Sequence, residues 1–120
     1  NVTWARDSAE AKGARGEPRI FLECNVRGFP DGSAMDSEGY LWNCRFGGGC
    51  VLRIAPDGSI DRVIDLPVTN VTTCTFGGPD LKTAFITTAS VLSPETERLA
   101  GSLFTLESSV SGLPENRFAL

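Results

Sequence analysis

Turn signals recur at short intervals in this chain and leave no room for a long helix. Between residues 30 and 66 the turns are Pro30-Asp31-Gly32, Ser37-Glu38-Gly39, Gly47-Gly48-Gly49 and Pro56-Asp57-Gly58. Asp-Gly and Gly-Gly pairs that separate β-rich runs are typical of tight hairpins. We therefore predict four short antiparallel strands in this stretch, at residues 33–36, 40–46, 50–55 and 60–66.

The same order of elements starts again after residue 70. Further strands are predicted at 71–76, 83–88 and 101–106. Residues 89–100 form an insertion, in which Ser93-Pro94-Glu95 is suited to open one helical turn. When the two sets are aligned, Met35 falls on Phe76 and Trp42 on Phe85, at offsets of 41 and 43 residues. A four-stranded antiparallel repeat of that size is typical of a propeller blade.

The N-terminal part is less regular. Val2–Ala5 is interpreted as the end of a strand, the residues up to Gly16 as a loop, and Arg19–Leu22 as a short strand. The chain begins at Asn1, and its one methionine is Met35. We therefore expect that the natural protein contains a segment upstream of this chain.

Composition excludes several classes of function. The 120 residues contain no histidine, which excludes a Ser-His-Asp triad, a Cys-His dyad and a histidine-ligated metal within the chain. Eleven basic and 15 acidic side chains give a net charge of −4, and the basic residues are scattered, so no nucleic-acid partner is expected. No apolar run is long enough for a membrane span, so no membrane partner is expected either.

The four cysteines, Cys24, Cys44, Cys50 and Cys74, have no C-x-x-C spacing, which disfavours a zinc site. No secretion signal is visible at the N-terminus, so we expect a cytoplasmic protein. Reduced thiols are accordingly favoured over a Cys44–Cys50 bridge across the Gly47-Gly48-Gly49 hairpin.

A series of motifs runs in order from residue 29 to residue 78. It comprises Pro30-Asp31-Gly32, Asp36, Gly39, Leu41-Trp42, Gly47-Gly48-Gly49, Val51, Arg53, Pro56-Asp57-Gly58, Leu66-Pro67-Val68, Thr72 and Phe76-Gly77-Gly78. In order and spacing this series resembles the second half of the regucalcin, gluconolactonase and luciferin-regenerating family. The resemblance extends over about residues 18–120.

The resemblance implies an all-β fold, as part of a six-bladed β-propeller. Residues 1–23 would supply outer strands of one blade. Residues 30–66 would form one complete four-stranded antiparallel blade. Residues 70–120 would form most of the last blade, with the insertion at 89–100.

The resemblance also implies an activity. Members of the family hydrolyse sugar lactones or related esters with one divalent cation, which here would be calcium, zinc, magnesium or manganese. An acidic residue, an asparagine and the aspartate of the Pro-Asp-Gly motif hold that cation. Only the last has a counterpart in this chain, Asp31, which is the predicted metal ligand and catalytic residue. A small-molecule lactone is the implied partner.

Residue patterns alone leave plainer alternatives open. Pro30-Asp31-Gly32 also reads as a simple turn, as Pro56-Asp57-Gly58 does. Thr72 and Thr73 occupy the position in the second repeat that Asp31 has in the first. They either contact substrate hydroxyls or are ordinary strand residues.

Other polar and aromatic residues are expected to be structural. The loop Asp36-Ser37-Glu38-Gly39 resembles a calcium loop but lacks EF-hand spacing, so a solvated turn is predicted. Trp42 and Phe85 are expected to pack between blades, and Arg45 and Arg53 to be solvated strand residues.

Two functions from different classes fit the sequence. The chain is either the C-terminal part of a metal-dependent lactonase or a non-catalytic β module. The second alternative would complete its sheets by self-association or with a partner chain, because unpaired strand edges favour pairing.

Overall fold

The computed structural model describes residues 2–8, 15–23 and 26–117. Nine β-strands lie in these ranges: β1 (Val2–Ser8), β2 (Arg15–Glu23), β3 (Phe29–Met35), β4 (Leu41–Phe46), β5 (Cys50–Ile54), β6 (Ile60–Asp65), β7 (Val71–Gly77), β8 (Thr83–Thr88) and β9 (Leu103–Glu107). They form three antiparallel sheets, in the orders β1-β2, β3-β4-β5-β6 and β7-β8-β9. The predicted all-β fold is confirmed. Within the same ranges, no helix has the length and apolar character to span a membrane.

The first hairpin is longer than the sequence predicted. β1 continues to Ser8 and β2 starts at Arg15, where a loop was expected, and the strands pair from Val2–Glu23 to Ser8–Arg15. The prediction of a loop rested on the polar composition of this segment. It is wrong because strands pair through backbone hydrogen bonds, which do not require apolar side chains. The rest of the predicted loop, residues 9–14, and Cys24 lie outside the described residues.

The interpretation of residues 29–32 as a turn is wrong. These residues open β3, which starts at Phe29 and pairs with the end of β4. Pro30 is tolerated there because β3 is an edge strand of its sheet, where a missing N–H is not needed on the open side. By contrast, Asp57 lies in the predicted hairpin turn. Its Oδ1 accepts hydrogen bonds from the backbone N–H and the hydroxyl of Ser59.

The four-stranded sheet is covered on both faces. One apolar cluster joins it to the β7-β8-β9 sheet through Trp42, Cys44, Val51, Val71, Cys74, Phe76, Ala84 and Ile86. A second cluster joins it to β2 through Cys50, Leu52 and Ile54, against which Phe21 and Leu22 pack. All of β5 is therefore buried. Burial on both faces explains why β5 is a nearly continuous apolar run rather than an alternating one.

Aromatic packing follows the prediction for one of the two residues. Trp42 lies between the two sheets, with its ring edge-on to Phe76 at a centroid distance of 5.1 Å and an interplanar angle of 84°. Phe85 neighbours the buried residues Ala84 and Ile86, and alternation along β8 directs its side chain to the opposite face, over Gly77. The packing of Phe85 between blades stays a prediction.

Asp36 is fully buried, which corrects the prediction of a solvated turn. Its Oδ1 accepts the backbone N–H groups of Glu38 and Tyr40 at 3.0 Å. Its Oδ2 accepts the indole N–H of Trp42 at 2.9 Å and Nε of Arg53 at 2.8 Å. These four hydrogen bonds compensate for the lost hydration of the carboxylate, so the loop folds inward onto it.

Arg53 is buried as well, and the prediction of a solvated arginine is wrong. Its guanidinium forms ion pairs with Asp36, Glu38 and Asp61, and it lies 3.8 Å from the centre of the Tyr40 ring. Carboxylates separated in sequence converge on this one cation. Only the folded sheet brings them together.

The insertion at 89–100 contains no helical turn. Single turns replace it, closed by hydrogen bonds from Ser93 N–H to Ser90 C=O and from Glu97 N–H to Pro94 C=O. Side-chain contacts fix the segment instead. Asn70 donates to the carbonyl of Val91, and Glu97 accepts the backbone N–H of Thr69.

The Asp36 site predicts an acid-sensitive fold. Burial alone raises the pKa of Asp36, but the hydrogen bonds from Trp42, Tyr40 N–H and Arg53, with the Arg53 charge, lower it overall. A lowered pKa means that the carboxylate stabilises the fold above its unfolded pKa, near 4, and that this stabilisation is lost as the pH falls through the folded value.

We expect Asp36→Asn to reduce the free energy of unfolding at pH 7 by about 3 kcal/mol, because it leaves Arg53 without its most buried partner. Urea unfolding between pH 7 and pH 2 measures the effect. The difference from wild type should stay constant above about pH 5 and shrink below about pH 4. Asp80→Asn, at an exposed turn, is the control. Equal losses in the two variants would contradict the prediction.

Candidate functional site

Asp31 lies in a bulge of the edge strand β3. Pro30 pairs with Arg45 and Ser33 with Asn43, so Asp31 and Gly32 together oppose the single residue Cys44. A bulge of two residues against one bends its strand and redirects a side chain. Asp31 is exposed, and among the described residues its carboxylate has no hydrogen-bond or ion-pair partner.

Two buried residues of β4 hold this bulge in place. The Asn43 Nδ2 donates to the Asp31 carbonyl at 3.1 Å and to the Ser33 hydroxyl at 2.8 Å. Arg45 donates to the Asn43 Oδ1 at 2.9 Å and is itself fully buried. The prediction that Arg45 is a solvated strand residue is therefore wrong.

Neither Asn43 nor Arg45 was singled out as part of a site from the sequence. The signal was present in the chain, as two polar residues at alternate positions in a run that is otherwise apolar and aromatic. Alternation places both on the same face of β4. Because other strands cover that face, both polar side chains must find hydrogen-bond partners inside the protein.

The start of β7 lies directly against the bulge. A Cβ atom built on Gly32 would lie 2.1 Å from the Thr73 hydroxyl, so only glycine allows the two strands to approach this closely. The structure thus brings the Asp31 bulge and Thr73 together. Thr73 is exposed on the strand surface.

Thr72 makes a different contact. Its hydroxyl lies 2.7 Å from the hydroxyl of Thr87 on β8, and the β7–β8 register shifts between Val71 and Thr73. Both β3 and β7 therefore have a register shift close to their starts, and the correspondence of Thr72 and Thr73 with Asp31 in the two repeats stays a prediction. The Thr72–Thr87 pair is exposed, so these hydroxyls remain accessible to a ligand.

The Cys44 thiol opposite the bulge is not a nucleophile candidate. The pKa of Cys44 is raised by its hydrogen bond with Cys74 and by burial, and the negative charge of Asp31 adds to the effect. Cys44 is therefore a neutral thiol at physiological pH, and neutral thiols are poor nucleophiles. Cys44, Cys50 and Cys74 are all buried, and no disulfide joins them. Cys44 pairs with Val51 rather than with Cys50.

The donors of this region suit a hard cation. They are a carboxylate and neutral hydroxyls, all oxygen atoms, which is the ligand type that calcium and magnesium prefer. Over the described ranges, no three residues of the His, Cys, Asp and Glu types come close enough to hold a metal ion. Asp31 therefore fits as one oxygen ligand, and further ligands would have to come from elsewhere in the protein.

Comparison with known proteins gives consistent matches. Residues 1–90 match the SMP-30/Gluconolactonase/LRE-like region. The chain is 37% identical to pentonolactonase XacC of Haloferax volcanii, over 90% of this chain and 40% of that protein. It is 41% identical to the 6-deoxy-6-sulfogluconolactonase of Pseudomonas putida, over 77% of this chain and 33% of that protein.

A solved structure shares the fold. It is the calcium-binding protein regucalcin from Agrobacterium tumefaciens, which superimposes with a TM-score of 0.81 at 30% identity, over 88% of this chain and 37% of that one. The chain thus spans well under half the length of each of these relatives. On the match over residues 1–90 and these identities, the chain belongs to the SMP-30/gluconolactonase/LRE-like family.

Proposed function

We propose that the protein carrying this chain is a divalent-cation-dependent hydrolase that opens sugar lactones or related esters, with Asp31 as its catalytic carboxylate. One observation carries this proposal: Asp31 is an exposed carboxylate without a partner among the described residues, in a bulge that buried residues hold. The lactonases among its relatives support the substrate class.

Asp31 is the residue of this chain that would hold the cation. A calcium, zinc, magnesium or manganese ion at this position would polarise the lactone carbonyl and lower the pKa of water. The oxygen donors of the region favour calcium, magnesium or manganese over zinc. The absence of histidine from the chain is compatible with such an oxygen-ligand site.

The residues of the chain would then act on water and substrate. The Asp31 carboxylate accepts a proton from the attacking water as the water oxygen bonds to the carbonyl carbon. When the ring C–O bond breaks, the same proton passes to the leaving oxygen, and the product is a hydroxy acid. The hydroxyls of Thr72 and Thr73 bind hydroxyl groups of the sugar and so orient the ring.

We expect Asp31→Ala to lower kcat/KM for an aldonolactone by at least about 100-fold, because proton transfer contributes that much in typical hydrolases. Lactone opening is measured as the release of acid, in separate assays with calcium, zinc, magnesium and manganese. The melting temperature should not fall, since no described residue depends on the Asp31 carboxylate.

The chain supplies a matched control for this test. Asp57 is the aspartate of the second Pro-Asp-Gly sequence of the chain, which lies in an exposed hairpin turn. Asp57→Ala should leave turnover as it is in wild type. Unchanged turnover in Asp31→Ala, or an equal loss in both variants, would overturn the role proposed for Asp31.

The alternative function is a β module that completes its sheets by association with another chain. The edge strand β9 is the observation that supports it. β6 is an edge strand as well, but it carries Asp61, Arg62 and Asp65. Such charges discourage pairing with another chain. β9 pairs only with β8 in the described part of the chain and exposes Leu103. An edge of this kind accepts a further strand.

If this alternative holds, the 120-residue chain should form oligomers in solution, as measured by size exclusion with light scattering. Leu103→Lys should shift it to the monomer, because an edge lysine resists strand pairing. Leu113→Lys, at an exposed residue outside the strands, is the control and should leave the oligomer intact. A monomeric wild-type chain at micromolar concentration would contradict the prediction.

A further inference from the structure

Arg45 is a buried cation whose partners in the described part of the chain are all neutral. Its side chain is 0% exposed, and its guanidinium donates to Asn43 Oδ1 and to the backbone carbonyls of Val26, Arg27 and Gly28. Burial of a charged group is unfavourable unless hydrogen bonds replace those it made with water. Here carbonyl dipoles of one loop replace that water, so the loop at 26–28 is held close to β4.

This loop leads directly into the bulge. Residues 26–28 precede β3, which starts at Phe29. By binding three consecutive carbonyls, Arg45 fixes the direction in which the chain enters β3. Gly28, at φ +70° and with no room for a Cβ atom against Phe46 and Gly48, makes this close approach possible.

The amide of Asn43 fixes the bulge itself. Its Oδ1 accepts from Arg45, so its Nδ2 must face β3, where it donates to the Asp31 carbonyl and the Ser33 hydroxyl. A bulge interrupts the hydrogen-bond ladder between strands. Asn43 gives the displaced Asp31 carbonyl a new donor and so holds the backbone that carries the carboxylate.

We propose that Asn43 and Arg45 are positioning residues for Asp31: Arg45 orients the Asn43 amide and the entry loop, and Asn43 fixes the backbone of the bulge so that the carboxylate meets the cation in one orientation. The inference rests on the proposed function, since it concerns the ability of Asp31 to bind a cation. Residues that orient a metal ligand typically contribute 10- to 100-fold to metal affinity.

The four-stranded sheet contains a second buried arginine, Arg53. Its substitution serves as a control that distinguishes an effect on the position of Asp31 from an effect on stability. Arg53 is 6% exposed and makes several hydrogen bonds, as Arg45 does, but its partners are Asp36, Glu38 and Asp61. It pairs with Trp42, toward the other end of β4 from the bulge. Arg45→Lys and Arg53→Lys are therefore matched changes, of which only the first touches the supports of Asp31.

The experiment compares Asn43→Ala, Arg45→Lys, Arg53→Lys and Asp31→Ala in the full protein that carries this chain. Calorimetric titration of metal-free protein with calcium gives the dissociation constant, and thermal unfolding of the same samples gives stability. Amide hydrogen exchange of the metal-free protein reports on the backbone at residues 31–33. Each lysine variant keeps the positive charge but loses the forked donors that bind several acceptors.

We expect Asn43→Ala and Arg45→Lys to weaken calcium binding by about 10-fold or more and to speed exchange at residues 31–33. Arg53→Lys should lower the melting temperature without either effect. Wild-type calcium affinity in Asn43→Ala and Arg45→Lys, with binding abolished in Asp31→Ala, overturns the positioning role alone. An equal loss of calcium affinity in Arg53→Lys and Arg45→Lys also overturns the positioning role, because both losses would then result from a general loss of stability. Wild-type affinity in Asp31→Ala overturns the proposed function together with this inference.

Discussion

The buried Asp36 carboxylate organises one end of the central sheet. It accepts hydrogen bonds from a loop, from the Trp42 indole and from Arg53, and so ties the β3–β4 connection to β5. The C-terminal segment adds to this end, because Asp36 forms a bridge with Gly112. A carboxylate without these partners would not tolerate full burial. The position of Trp42, and with it the packing of two sheets, therefore depends on this one group.

The other end of β3 and β4, where Asp31 lies, is stabilised by different interactions. There Asn43 and Arg45 stabilise an irregular backbone around Asp31, and they do so with neutral acceptors rather than with opposite charges. β4 thus connects a structural ion-pair network at one end with an exposed carboxylate at the other, which has no partner in the described part of the chain. A rigid, buried strand is a suitable support for a reactive group, because packing limits the movement of the side chains that orient it.

The strand pattern and the candidate residue were both predictable from the sequence. Gly47-Gly48-Gly49 and the turn at Asp57 delimit short β-rich runs, and local backbone preference decides such features. β8 was predicted with its observed bounds, Thr83–Thr88. The family resemblance identified Asp31. The bulge was not predicted, because Pro-Asp-Gly favours a turn locally and only pairing with β4 draws it into a strand.

The sequence by itself determined that the chain forms short antiparallel strands and that it offers no imidazole for metal binding or proton transfer, and its family resemblance singled out Asp31 for testing. Only the tertiary structure decided which polar residues are buried. Arg45 and Arg53 were predicted to be solvated because alternation in a strand shows which residues share a face but not what covers that face. Most hydrogen-bond partners of the two arginines lie 17 to 19 residues away in the sequence. Only the folded sheets bring them within hydrogen-bonding distance.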